Sequence, residues 1–163
     1  MKTIYLIRHG KSSWHYPELN DRERPLKNRG ANDAHLMGKL LDKKKIEPDA
    51  ILTSPARRAL DTAIIFADEL GFKQNIKIEE GLYFKGMDGI LEVIRTANND
   101  WGTVFLFGHN PDFLEFTNTY ADDPYDNLPT CGVVAIQYDV KKWEEASHEN
   151  GKLKSFDCPS KHK

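Results

Sequence analysis

The sequence predicts an α/β chain: a mostly parallel sheet with helices on both faces, a three-layer αβα arrangement. Three observations predict it. Short apolar, β-branched runs alternate with longer segments of helical spacing along the chain. Several of these runs, such as Ile4-Tyr5-Leu6-Ile7 and Val104-Phe105-Leu106-Phe107, are apolar at consecutive positions, as in strands buried on both faces. Strand ends then carry polar or cationic residues at the same relative place, and in open α/β sheets ligands bind just beyond the carboxyl ends of strands.

The first strand is the apolar run that begins at Lys2-Thr3 and stops at Arg8-His9-Gly10. Gly10 permits a turn and the close approach of a ligand. The polar stretch from Lys11 to Gly30, with Pro17, Asp21 and Pro25, is long for a connection and reads as a functional loop. Ala34, Met37, Leu40 and Leu41 mark one face of a first helix, which ends in a solvated Lys43-Lys44-Lys45 run suited to the helix dipole. After Pro48, Ala50-Ile51-Leu52-Thr53 reads as a second buried strand.

Ser54-Pro55 predicts a helix start, a hydroxyl cap followed by proline at the first helical position. Apolar spacing then continues from Ala56 through Ala59, Ala63 and Ala67 to a stop at Gly71. Asn75 to Glu80 predicts a short alternating strand, and Met87, Ile90, Leu91, Ile94 and Ala97 a third amphipathic helix. Thr103 to Phe107 is the next strand, running into Gly108-His109-Asn110-Pro111. Asn110 is expected to cap, and Pro111 to open, a helix carrying Phe113, Phe116 and Tyr120. Val133 to Tyr138 forms a further strand, and Lys152 to Phe156 a last edge strand.

A chain of 163 residues is read as one domain spanning 1–163. Its 39% hydrophobic and 29% charged content fits a folded soluble protein, and a net charge of −2 gives no basic field for nucleic acid or an anionic membrane. There is no signal-peptide pattern and no membrane-length apolar run, so the expected location is cytoplasmic. Cys131 and Cys158, far apart and without metal-type spacing, are expected as free thiols.

The chemistry follows from what meets at the sheet edge. Arg8 and His9 end the first strand, Arg57 and Arg58 follow the second, and His109 follows the strand at 103–107. Two histidines and at least two arginines at helix starts make a pocket for a phosphoryl group. The positive surroundings are expected to depress the histidine pKa values, leaving His9 neutral and nucleophilic. A nucleotide-loop reading of Gly10-Lys11-Ser12 fails because Tyr5 stands where that motif needs glycine. No paired Cys or His spacing supports a metal site.

Leu6-Ile7-Arg8-His9-Gly10, Ser54-Pro55-Ala56-Arg57-Arg58-Ala59 with Thr62-Ala63, and Phe107-Gly108-His109-Asn110-Pro111 resemble the histidine phosphatase superfamily, the branch that contains phosphoglycerate mutase. Lys11-Ser12-Ser13-Trp14, Arg24-Pro25-Leu26 and Gly81-Leu82-Tyr83, with the short chain, look like its SixA-type phosphohistidine phosphatases. The resemblance implies a phosphoglycerate mutase-like fold and His9 as a nucleophile that becomes transiently phosphorylated. It implies that Arg8 and Arg58 clamp the phosphoryl oxygens while His109 donates a hydrogen bond to them. Arg24, Gly10, Ser12 and Arg57 are expected as flanking substrate contacts; the Ser-Pro-x-x-Arg spacing selects Arg58 over Arg57, although helical periodicity puts Arg57 nearer the apolar stripe.

No cofactor or metal is expected, because arginines neutralise the charge that magnesium neutralises elsewhere. The expected ligands are a phosphorylated protein (a histidine-containing phosphotransfer or kinase domain in signal transduction) or a small phosphate ester, with phosphate, vanadate or tungstate as pocket ligands. Many relatives carry an acidic residue in the segment matching Leu82 to Gly86, where this chain has Tyr83 and Phe84; Glu79 and Glu80 are the available substitutes. A leaving imidazole needs such an acid less than an alkoxide does, which favours phosphohistidine over phosphate esters or mutase chemistry. A small-molecule phosphomonoesterase or mutase, and a non-catalytic phospho-recognition module, are the alternatives.

Overall fold

The computed structural model describes residues Met1–Lys163. Six strands form one sheet: β1 (Lys2–Arg8), β2 (Ala50–Thr53), β3 (Lys77–Ile78), β4 (Thr103–Gly108), β5 (Val133–Tyr138) and β6 (Gly151–Asp157). Their order across the sheet is β3-β2-β4-β1-β5-β6. The first four run parallel, β5 lies antiparallel to β1, and β6 antiparallel to β5.

Helices α1 (Asn28–Lys43) and α2 (Arg57–Leu70) cover one face, where Ile7, Ile51, Phe105, Phe107 and Val133 pack with Met37 and Phe66. Helices α3 (Gly86–Arg95) and α4 (Asp112–Asn118) cover the other, over Ile4, Leu6, Leu52, Val104, Leu106 and Val134. Successive strand residues thus feed opposite cores, the period-2 geometry that makes a doubly covered strand apolar at every position. The αβα expectation stands. No helix is long and apolar enough to cross a membrane. Both cysteines are free and buried.

Local differences from the sequence reading have physical causes. Helix α1 starts at Asn28, so Gly30 lies inside the helix instead of closing the loop before it. A Cβ on Gly30 would sit 2.3 Å from the Lys11 carbonyl oxygen, and one on Gly10 would sit 2.8 Å from that of Gly30. The glycine pair lets the helix start touch the strand-end loop. Gly10 thus permits a close approach between two parts of the chain.

Helix α2 begins at Arg57, with Ala56 as its cap residue and Pro55 outside it, and Ser54 Oγ accepts the Ala56 amide just ahead of the first turn. Its end is as expected: Gly71 takes a left-handed φ of 66°. Likewise Asn110 is no cap: α4 starts at Asp112, and the Asn110 amide reaches back to the Leu128 carbonyl. The predicted strand 75–80 shrinks to the two exposed residues of β3, since an edge position beside a short β2 offers few partners.

Candidate active site

Register brings the site together. Ile7 of β1 and Thr53 of β2 both pair with Phe107 of β4, so the chain leaves all three strands at one level, at His9, Ser54 and His109. The backbone then holds His9 from both sides. Its amide donates to the Gly108 carbonyl at 3.1 Å, and the Cys131 amide donates to the carbonyls of Arg8 and His9 at 3.0 and 3.2 Å. The Gly10 amide donates to Thr62 Oγ1 at 3.0 Å, and that hydroxyl donates to the Arg58 carbonyl at 2.6 Å. The histidine loop is thereby tied to the first turn of α2, which carries Arg58.

His9 and His109 are both buried, their ring centroids 5.1 Å apart. His9 Nδ1 lies 2.7 Å from the Gly10 carbonyl oxygen. That oxygen only accepts, so Nδ1 carries the proton and Nε2 keeps its lone pair. Burial first, then the charges of Arg58, Arg8 and Arg24, lower the His9 pKa to about 3. Burial, the facing His9 and Arg58 lower that of His109 to about 2. The expected direction holds, but desolvation exceeds the arginine charges as its cause.

Ser54, which from sequence is only a helix cap, proves to be a partner of His109. Its fully buried Oγ lies 2.8 Å from His109 Nε2 and accepts the Ala56 amide at 3.1 Å. His109 Nδ1 stands 3.4 Å from Arg58 Nη2, a group that can only donate. With the guanidinium donating to Nδ1, the ring holds its proton on Nε2 toward Ser54; when an anion takes that guanidinium donor, Ser54 donates to Nε2 and Nδ1–H faces the anion.

The arginines divide sharply. Arg58 is 2% exposed and lines the same cavity of about 320 Å³ as Arg8, His9, Ser12, Arg24 and His109. Arg57 is half-exposed, pairs with Asp61 one turn along at 3.4 Å and lines a neighbouring groove. The Ser-Pro-x-x-Arg spacing was the better guide, and Arg57 is not a pocket cation. Arg8 Nη1 donates to the Leu128 carbonyl at 3.0 Å, while the Nε atoms of Arg8 and Arg58 are buried without a partner. Buried guanidinium donors seldom go unpaired, and both belong to arginines that line the cavity. Arg24 folds in from the long loop, donates to Ser12 Oγ at 2.9 Å and lies over the Trp14 ring, 3.5 Å from its centroid.

The carboxylate in the cavity is Asp21, which sequence reasoning passed over as a turn residue. Its Oδ2 accepts from Arg58 Nη2 at 3.0 Å and from the Tyr83 hydroxyl at 2.6 Å, while Oδ1 faces Arg24 Nε at 3.3 Å. Burial alone pushes its pKa up, but hydrogen bonds from Tyr83 and Arg58 and the Arg58 charge bring it down to about 2. Asp21 is therefore an ionised brace between two arginines, without a proton to give. Glu80 is exposed and paired with Arg22 at 2.8 Å, and neither it nor Glu79 lines the cavity. The segment matching the relatives' acid instead gives His109 two aromatic neighbours, Phe84 stacked at 4.6 Å and Tyr83 edge-on at 5.5 Å.

Comparison with known proteins fits this geometry. The model of the histidine phosphatase superfamily (branch 1) matches residues 4–104. The chain belongs to this superfamily. Among relatives by sequence, an uncharacterized protein of Mycobacterium tuberculosis is 32% identical over 164 residues, spanning 94% of this chain and 99% of that protein. An uncharacterized chloroplastic protein of Arabidopsis thaliana is 29% identical over 154 residues, spanning 89% of this chain and 70% of the other. Among solved structures, the protein histidine phosphatase SixA complexed with tungstate superposes with a TM-score of 0.85 at 20% identity, covering 99% of each chain. A phosphoserine phosphatase of Entamoeba histolytica gives a TM-score of 0.69 at 16% identity, covering 98% of each chain. At these identities the two structures share the histidine phosphatase fold.

Proposed function

We propose that this chain is a phosphatase that forms a phosphohistidine on its own His9 and takes protein phosphohistidine as its substrate. The observation that carries the reading is the His9 ring. It is buried and neutral, its Nδ1 proton is held by Gly10, and it lies 5.1 Å from His109 among arginines. Nε2 attacks phosphorus in line with the leaving group, splitting one displacement into two. Arg8 and Arg58 hold the equatorial oxygens, with Arg24 and Ser12 at the rim, and His109 donates from Nδ1 as charge gathers there. Water then attacks the phosphorus on His9, phosphate leaves, and the ring returns neutral. The Nδ1–H bond to Gly10 steadies the imidazolium that exists only while the phosphoryl group is attached.

Leaving-group chemistry favours phosphohistidine over an ester. An alkoxide needs a proton as it departs, and the cavity's carboxylate, Asp21, is held ionised. Imidazole protonated on its second nitrogen departs neutral without one. The tungstate held by the structurally similar SixA supports an oxyanion such as phosphate, vanadate or tungstate as a pocket ligand. In this reading residues 1–163 act as one catalytic domain in the cytoplasm, and the partner is a histidine-containing phosphotransfer or kinase domain. The test is turnover of a phosphohistidine protein beside a phosphoserine peptide and a sugar phosphate. Preference for the first by at least about tenfold in kcat/KM is expected, whereas preference for either ester would make the protein a phosphomonoesterase and no turnover of any would leave a recognition module.

A further inference from the structure

The cavity that receives the phosphoryl group is lined by four cations, Arg8, Lys11, Arg24 and Arg58, and by a single anion, Asp21. A carboxylate opposes a bound dianion, so its place in such a site calls for a cause. It is held there firmly. Arg58 Nη2 and the Tyr83 hydroxyl donate to Oδ2 at 3.0 and 2.6 Å, and Arg24 Nε faces Oδ1 at 3.3 Å. The Asp21 carbonyl also accepts from Arg58 Nη1 at 2.6 Å. These partners come from α2, from the segment after β3 and from the long loop itself, and they keep the carboxylate ionised. Its depth sets it apart from the groups that meet the phosphoryl oxygens. Arg58 and His109 are 2% and 1% exposed, whereas the Asp21 side chain is 43% exposed. The negative charge therefore stands at the solvent end of the cavity, the end where a leaving group carried by a protein must lie.

We infer that Asp21 selects the substrate by charge: its carboxylate favours a phosphoryl group carried on a cation, the ring-protonated form of phosphohistidine, over a phosphate ester. The inference rests on the phosphohistidine reading and deepens it. In that substrate one ring nitrogen bears the phosphoryl group, the other bears a proton, and the ring is positive. The bond from His9 Nε2 to phosphorus forms as the bond from phosphorus to the substrate ring breaks. The electron pair stays on the leaving nitrogen, and the ring departs as neutral imidazole with its proton still on the other nitrogen. An ester begins neutral at the leaving oxygen and ends negative. At every stage, then, the leaving ring is one charge more positive than a leaving alkoxide, and a fixed anion nearby favours it throughout. Arg24 and Arg58 face both kinds of substrate alike, so they do not cancel this difference. The attraction acts through space and needs no hydrogen bond from Asp21, which determines specificity and moves no proton.

The test compares kcat/KM for phosphoimidazole with that for an aryl phosphate ester, in the wild-type protein, in Asp21→Asn and in Asp21→Glu. Asparagine keeps the shape and removes one unit of charge, and the ratio of the two substrates should fall by about tenfold, the scale of one charge pair in a partly solvated site. Glutamate restores the charge and should recover most of the ratio. An unchanged ratio in Asp21→Asn overturns the inference, whether both substrates lose together, as for a brace of Arg58, or gain together, as for plain repulsion of the phosphoryl group. A ratio as low in Asp21→Glu as in Asp21→Asn overturns it too, because shape and not charge would be the cause. If Asp21→Asn does not fold, the wild-type protein is titrated with imidazolylmethylphosphonate, its ring protonated, and with benzylphosphonate. Tighter binding of the cationic one by about tenfold is expected, and equal or weaker binding overturns the inference. Wild-type protein that turns over the aryl ester but not phosphoimidazole removes the phosphohistidine reading itself, so the two failures are distinct.

Discussion

The two sides of the cavity are built differently. The floor, with Arg8, His9, Ser54 and His109, hangs from the ends of three paired strands and is fixed by backbone hydrogen bonds and buried rings. The rim, with Trp14, Asp21 and Arg24, comes from the long connection between β1 and α1 and is held by side chains reaching across one another. Trp14 is 74% exposed there and His9 only 8%. Groups that must keep a fixed tautomer and a low dielectric sit on the floor, while the rim exposes Trp14 to solvent yet buries Arg24 as deeply as His9. A floor of strand ends under a rim open at Trp14 suits a pocket that admits a phosphoryl group carried on a larger body.

The sharpest break in that comparison is His9→Ala. If the floor supplies the nucleophile, turnover and any acid-labile phosphate on the protein should both vanish, and activity near wild type would remove His9 from that role. Next comes Arg58→Ala, expected to cost roughly 10²–10³ in turnover, the scale of a lost transition-state donor. Arg57→Ala, one residue earlier but pointing into a different groove, should change turnover by less than about twofold. Equal losses at the two positions would show that net positive charge near the pocket matters and the placement of one guanidinium does not. Competitive inhibition by tungstate gives a second measure, and it should weaken far more in the Arg58 variant.

Legibility follows the same division. The floor could be read because strand periodicity, glycine and Ser-Pro signals are local, and because a parallel sheet brings strand ends to one edge whatever the strand order. Arg8, His9, His109 and the Arg57-Arg58 pair follow on that basis, the resemblance to the histidine phosphatases selects Arg58 from the pair, and the register brings the three strand ends to one level. The rim could not be read in the same way. Asp21 lies in a turn-rich loop, and only the fold brings it to Arg58, 37 residues away, and to Tyr83, 62 residues away. Ser54 was seen but given the wrong task. A serine before proline looks the same whether its hydroxyl caps a helix or meets a histidine 55 positions later. Asn110 before Pro111 likewise reads as a cap, although its amide reaches the Leu128 carbonyl instead.

Ser54→Ala sharpens the comparison within the floor. Losing its hydroxyl frees His109 to carry the proton on either nitrogen, so turnover should fall by about tenfold, in kcat more than in KM. Ser54→Thr keeps the hydroxyl and should recover most of the loss. A change confined to KM, or no rescue by threonine, would mean that Ser54 does not set the His109 tautomer.

The smallest expected effect is on pH dependence, and it bears directly on the claim that the floor is desolvated. The folded chain holds His9 at about 3 and His109 at about 2, whereas in the unfolded chain each titrates near 6.5. Between those values the unfolded state binds more protons, so stability rises with pH and is lost as pH falls from 6.5 toward 3. By linkage the loss between pH 7 and pH 5 is on the order of 2 kcal/mol for each ring. Denaturant unfolding at the two pH values measures it, and His9→Asn, which removes one such ring, should roughly halve the difference. The same low value leaves kcat/KM without a His9 limb near pH 6.5, so an inflection there that persists with a substrate of constant ionisation would mean His9 is better solvated than its position implies. Bound tungstate should oppose the loss on acidification, because an anion beside His109 favours its protonated form. A stability difference between pH 7 and 5 that neither variant nor tungstate alters would put the titrating groups outside the floor altogether.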